Sequence, residues 1–150
     1  MSRLLCDQLS DERFEHINIG ELVNNKHLYK SWNERFDVPE FDEDMICDAL
    51  EQKISVGGLI IDFHTSSFFP RDWFDLIVVL RADNTVLYDR LSEKGYSQDK
   101  ISENIQCEIF NVVSEEVHEA FAADIIIELE STEASQVEEN IEKIRQRLSN

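Results

Sequence analysis

Leu59-Ile60-Ile61-Asp62-Phe63-His64 is the stretch on which the fold turns, and Gly57-Gly58 stands immediately before it. A short apolar run of this kind is what a strand covered on both faces needs, and such strands belong to parallel sheets with helices packed on each side. An acid at the carboxyl end of one of them is how many nucleotide-binding α/β enzymes hold Mg²⁺ beside phosphates. Alone, Asp62 fits equally an acid at a solvated strand edge. His64, two residues on, projects to the same side as Asp62 if the strand continues, where the two could share a water or a phosphate oxygen. The plainer alternative is a loop histidine bonded to backbone.

Working outward, three more strands stand out: His16 to Ile19, Leu76 to Leu80, and Ile125 to Leu129. Helical patterns separate them, which is the alternation of a parallel α/β sheet. Asp42 or Asp44 can cap a helix that turns Met45, Ile46, Ala49 and Leu50 to one face, with Gly57-Gly58 beyond its end. Asp83 caps a second, with Val86, Leu87 and Leu91 facing inward and Gly95 past its end. Ile101, Ile105, Ile109, Val112, Val113 and Val117 recur at spacings of three and four, predicting one long helix from about Asp99 to Ala122. Val137, Ile141, Ile144 and Leu148 predict a C-terminal helix, and the first dozen residues read as the back part of another. Four glycines and two prolines leave no flexible linker, so a single domain over residues 1–150 is expected.

The charge bounds the partners. Thirty-two acidic residues against 14 basic ones give −18, with no Lys/Arg cluster to neutralise a run of phosphates, so direct nucleic-acid binding is not expected. An acidic surface does attract basic proteins across a Debye length, although the same charge also simply keeps a protein in solution. The longest apolar runs are strand-length, and no signal peptide or membrane span is read. Cys6, Cys47 and Cys107 are widely spaced and form no C-x-x-C pair, which reads as reduced thiols in cytosol or nucleus.

Several blocks, in their order and spacing, resemble the adenylate kinase isoenzyme 6 family, also described as coilin-interacting nuclear ATPases. They are Asn18-Ile19-Gly20-Glu21-Leu22, Asp42-Glu43-Asp44, Ile61-Asp62-Phe63-His64, Phe68-Phe69-Pro70 with Trp73-Phe74, Val79-Leu80-Arg81, and Asn104-Ile105-Gln106-Cys107-Glu108-Ile109-Phe110. The resemblance covers nearly the whole chain. It implies a P-loop nucleoside monophosphate kinase-like α/β fold, with a five-stranded parallel sheet and helices on both faces. It also implies a broad nucleoside monophosphate kinase, ATP + AMP to 2 ADP, with ATPase activity and a link to small ribosomal subunit maturation in nucleus and cytoplasm.

Carried over by position, the resemblance makes Asp62 and His64 the catalytic pair, with Asp62 near Mg²⁺ through water and His64 positioning a water or the transferring phosphoryl group. The monophosphate region becomes about Asn18 to Phe41, including Asn18, Gly20 and Glu21. The lid becomes about Glu93 to Glu103, with Arg90 and Lys94 offering charge to ATP phosphates. Without the family, Arg90 reads as a solvated helix residue. The loop Glu130 to Glu133 falls where such kinases enclose the adenine. The implied ligands are ATP with Mg²⁺ and AMP or another nucleoside monophosphate. A second reading is a catalytically dead acidic module for a basic small-subunit ribosomal protein.

The family's buried first strand and its loop G-x-x-x-x-G-K-[ST] have no counterpart in these residues, since none of Gly20, Gly57, Gly58 and Gly95 is followed by Lys. On the family alignment Met1 falls where that lysine would sit, and the expectation is a chain lacking the strand and the loop, with little kinase activity as written. The lacking strand is expected to be central, between Leu59–Phe63 and Leu76–Leu80 on one side and Ile125–Leu129 on the other. Its loss would leave buried backbone groups unpaired at about 1 to 3 kcal/mol each. Lys94 stands where human-like members carry arginine, and Asn24 where many carry a basic residue; lysine supplies a point charge without the guanidinium fork.

Overall fold

In a computed structural model of the chain the described residues are 7, 9, 14–36, 38–109, 111–133 and 135–149. The first dozen residues fall outside them except Asp7 and Leu9, which are helical. Phe110 also lies outside. The described chain divides into two compact units, one up to His64 and one from Thr65 onward.

In the first unit, strand β1 (Glu15–Asn18) runs into helix α1 (Ile19–Lys26), and β4 (Leu59–Asp62) pairs with β1 in parallel. The expected strand His16–Ile19 stops at Asn18, because the Asn18 side chain accepts the Glu21 N–H at 3.1 Å and so caps the helix that Ile19 begins. Between α1 and helix α2 (Glu43–Val56) lies an antiparallel hairpin, β2 (Tyr29–Asn33) and β3 (Val38–Phe41), that the hydrophobic pattern did not announce. Its strands are short and largely polar, and one carries Pro39, so period-two alternation is weak. Polar contacts hold it instead: across the strands the Ser31 hydroxyl donates to Glu40 at 2.8 Å, and in the turn the Asn33 side chain accepts from the Phe36 N–H at 3.2 Å.

Asp42 caps α2 as expected, accepting the Met45 N–H at 3.1 Å, and Ile46 and Leu50 are fully buried. Met45, expected on that apolar face, is 42% exposed because it sits in the first turn, next to the cap. Val56 leaves the helix into Gly57, whose φ of +82° only glycine adopts without strain.

In the second unit, β5 (Ile77–Arg81) and β6 (Ile126–Glu130) form a parallel pair. Helices α3 (Asn84–Glu93), α4 (Gln98–Ile109), α5 (Val112–Ala120) and α6 (Gln136–Ser149) complete it. The core gathers Ile77, Val79, Val117, Phe121 and Ile126, with Phe74 packed edge-on against Phe121. Asp83 caps α3 through the Thr85 and Val86 N–H groups, and Gly95, at φ +77°, follows its end as expected.

Two expectations for this unit are corrected. The middle of the sheet was expected to stand open for want of a central strand, with Leu76–Leu80 on one side of the gap and Ile125–Leu129 on the other, but Ile77 pairs with Ile126 and so on to Arg81 with Glu130, five partners in succession. Paired strands stand about 4.8 Å apart, which leaves no room for a third between them. The single helix expected over Asp99–Ala122 is two. It breaks at Asn111, whose φ of +55° is left-handed, and Arg81 donates to both the Glu108 carbonyl (3.3 Å) and the Asn111 side chain at the break. Ile109 and Val113, which an unbroken helix would turn inward, are 54% and 37% exposed. In α6, Val137, Ile141 and Ile144 are buried as expected, while Leu148 near its end is not. Among the described residues no helix is long and apolar enough to cross a membrane.

Candidate functional site

The first unit places Asp62 at the carboxyl end of β4, beside Asn18 in register on β1. Side chains alternate along a strand, so His16, Asn18, Ile60 and Asp62 share one face of the pair. There the His16 Nε2 lies 3.5 Å from the Asp62 Oδ2, both side chains less than one-fifth exposed, and that nitrogen is buried without a hydrogen-bond partner. His16 was read only as a strand residue. The signal that could have found it is the spacing His16-x-Asn18, which puts a second polar group on the face of the strand that runs into a helix.

A carboxylate so placed fits one role in holding Mg²⁺, an ion that takes one or two carboxylates and completes its shell with water and phosphate oxygens. Among the described residues there is no cluster of three or more carboxylate, imidazole or thiol ligands. Strand β4 ends at Asp62, so alternation does not carry on to His64. The exposed His64 ring packs on Phe63, with centroids 4.2 Å apart, and meets Phe41 edge-on at 5.8 Å. Of the residues expected on the monophosphate side, Asn18 is engaged as the α1 cap, and a Cβ on Gly20 would come within 3.2 Å of the Asn18 Oδ1. Glu21 is exposed in the first turn of α1.

The second unit has a cavity of about 460 Å³ at the carboxyl end of β5, lined by Arg81, Arg90, Lys94, Glu108 and Ser131 over an apolar wall of leucines. Arg90 projects from α3 and its guanidinium donates to the Ser131 carbonyl at 2.7 Å and the Thr132 carbonyl at 2.5 Å. Lys94, at the end of α3, is exposed, and its ammonium stands 5.9 Å from the Tyr96 ring centre. The segment expected to form a lid, about Glu93 to Glu103, comprises the last residue of α3, a turn over 94–97 and the first half of α4. Ser131 is 2% exposed and its hydroxyl is buried without a hydrogen-bond partner.

Arg81 forms the floor. It donates to Glu108 at 2.8 Å and stands 3.7 Å from Glu128, and the Glu108 hydrogen bond pushes the guanidinium's pKa up, with burial opposing. Its charge is thereby committed inside the unit. Sequence reading passed over Arg81 because a strand-terminal arginine reads as solvated; its partners lie 27 and more residues away.

Residues 4–111 match the AAA domain family. Curated adenylate kinase isoenzyme 6 homologs are similar over most of the chain. One from Dictyostelium discoideum is 38% identical over 94% of this chain and 81% of its own length. One from Schizosaccharomyces pombe is 39% identical over 97% and 84%. A longer homolog from Candida albicans is 38% identical over 87% of this chain, which spans about half, 53%, of that protein.

Proposed function

The chain belongs to the adenylate kinase isoenzyme 6 family, of nucleotide-kinase-like α/β fold, and we propose that it binds ATP·Mg²⁺ and a nucleoside monophosphate for phosphoryl transfer. The observation that carries this reading is the cavity beyond β5, where an apolar wall, a buried unpaired Ser131 hydroxyl and the exposed Lys94 stand together, with the acids Glu93 and Glu108 also on its lining. A nucleotide needs that combination: an apolar surface for the base, a few aimed polar groups, and positive charge for phosphates. Parallel α/β sheets bind ligands at the carboxyl ends of their strands, and the cavity lies at that end of β5.

Each residue then has a task. Asp62 would hold Mg²⁺ through water, and the ion, when bound, neutralises charge on the transferring phosphoryl oxygens. His64, exposed and braced on Phe63, orients a water or the phosphoryl group. Lys94 offers a point charge to the ATP phosphates, and Asn18, Gly20 and Glu21 belong to the monophosphate side. The 150 residues include no G-x-x-x-x-G-K-[ST], and transfer depends mainly on positioning and charge. The chain as given is therefore expected to bind nucleotide while producing ADP slowly.

Calorimetric titration of the 150-residue chain with ATP·Mg²⁺, beside a coupled assay for ADP formed from ATP and AMP, tests the reading. Saturable ATP binding that weakens in Asp62→Asn and Lys94→Ala supports it; no binding, or binding indifferent to both changes, overturns it.

The net charge of −18 favours a second reading, an acidic surface for a lysine-rich small-subunit ribosomal protein in nucleus or cytoplasm. Titration with such a basic tail at low and high salt separates the two, since steering by exposed charge fades with ionic strength.

A further inference from the structure

The loop from Glu130 to Glu133 joins β6 to α6, and its backbone polar groups are held by an unusually complete set of partners. The Glu130 carbonyl accepts from Asn140 at 2.7 Å, and the Ser131 and Thr132 carbonyls accept from the two terminal nitrogens of Arg90. The Ser131 N–H donates to the Arg81 carbonyl at 2.6 Å, and the Thr132 and Glu133 N–H groups both donate to Gln136 Oε1, at 2.9 and 2.8 Å. The Asp83 N–H donates to the Thr132 hydroxyl at 2.9 Å. The Ser131 hydroxyl, buried in a residue that lines the cavity, has no partner.

We propose that Arg90 is a positioning residue that shapes the cavity through the Ser131–Thr132 backbone, and does not grip a phosphate. Two successive carbonyls facing a planar fork are an arrangement that guanidinium matches and ammonium does not. Both terminal nitrogens are spent on the loop, 41 and 42 residues further along the chain. Turning them to a phosphate would take from the Ser131 and Thr132 carbonyls the side-chain donors they have among the described residues. The cation at the cavity that faces solvent is Lys94. The inference rests on the nucleotide reading of this cavity, and it assigns the two cations different work: Arg90 holds the wall against which the nucleoside lies, while Lys94 meets the phosphates.

The test separates the roles by phosphate number. Affinities of the 150-residue chain for adenosine, AMP, ADP and ATP are measured for the native protein and for Arg90→Lys, Arg90→Ala, Gln136→Ala and Lys94→Ala. Loss of a supporting contact of this kind is worth on the order of tenfold. Arg90→Lys and Arg90→Ala are expected to weaken adenosine and ATP by the same factor, and Gln136→Ala, which cuts the belt without changing charge, to follow them. Lys94→Ala is expected to lose more with each added phosphate. An Arg90→Ala loss that is absent for adenosine and grows with phosphate number overturns the proposal. Amide exchange decides it independently of binding: the Ser131, Thr132 and Glu133 amides should exchange on the order of tenfold faster in both Arg90 variants, while β5 keeps its protection. Unchanged exchange there refutes the clamp. A native chain that binds neither adenosine nor ATP refutes the nucleotide reading instead, and the exchange result still stands for the loop.

Discussion

His16 and Asp62 face each other across two parallel strands, Nε2 to Oδ2 at 3.5 Å, although 46 positions apart in sequence, and the His16 nitrogen is buried without a hydrogen bond. The contact joins β1, the strand that runs into α1, to the carboxylate at the end of β4. It makes a stability measurement informative about a site. An unsatisfied buried polar atom costs about 1 to 3 kcal/mol, so an apolar ring of similar shape is tolerated there. His16→Phe is therefore expected to leave the urea midpoint unchanged or raised. A midpoint lowered by an amount that corresponds to more than about 1 kcal/mol of unfolding free energy would mean that the imidazole makes a favourable contact with Asp62.

Ser131 supplies a paired signature. Ser131→Ala removes a buried hydroxyl that has no partner, so the unliganded chain should be as stable as the native one or slightly more so. If that hydroxyl meets a nucleotide, the same change should weaken ATP several-fold, within the about 1 kcal/mol of an ordinary hydrogen bond. Thermal melts with and without ATP·Mg²⁺ read both effects, and an equal ligand-induced shift in the two proteins would remove Ser131 from the site.

Arg81 ties the end of β5 to the break between α4 and α5 through Glu108 and Asn111. Arg81→Met keeps the aliphatic stem but leaves Glu108 without its cation, which should destabilise the second unit by about 2 kcal/mol. Arg81→Lys should recover little, since a single ammonium cannot reach three acceptors in the guanidinium geometry. Full recovery in urea denaturation would reduce the contact to simple charge. At the break itself, Asn111→Gly should be tolerated and Asn111→Val should not, because a φ of +55° suits glycine and asparagine and strains a β-branched residue.

Cys47 and Cys107 have thiol pKa values pushed up, chiefly by burial and then by nearby acids, Asp44, Asp48 and Glu43 around the first and Glu103 and Glu116 around the second. In a Cys6→Ser background, iodoacetamide should therefore modify the folded protein more slowly at pH 8 than the urea-unfolded one. The linkage runs one way. A folded pKa raised above the unfolded value gives stability that is fully present below the unfolded thiol's pKa, about 8.5, and is lost as pH rises through the folded value. Stability that rises between pH 8 and 10 would contradict the assignment.

Much of this was legible in the residues. The apolar runs ending in Asp62 and beginning at Leu76 and Ile125 named the parallel strands to within a residue, because a short apolar run bounded by turn residues suits a strand. Asp42 and Asp83 named their helix starts, because capping is chemistry between near neighbours. The blocks around Asp62-Phe63-His64 and Asn104 to Phe110 named the family. The hairpin from Tyr29 to Phe41 was not legible, since its hold is polar pairing across strands and not a hydrophobic period.

What the sequence by itself determined is the class of fold, the parallel strands and the capped starts of two helices, all set by local periodicity and local hydrogen bonding. Tertiary structure alone decided that β5 pairs directly with β6, that a helix period running smoothly through Asn111 is cut in two, that His16 faces Asp62, and that the Arg90 fork closes on Ser131 and Thr132. The physical reason is common to all four. Each joins groups that are distant along the chain, and where a strand lies, or where an arginine spends its donors, is set by which acceptors folding brings within about 3 Å.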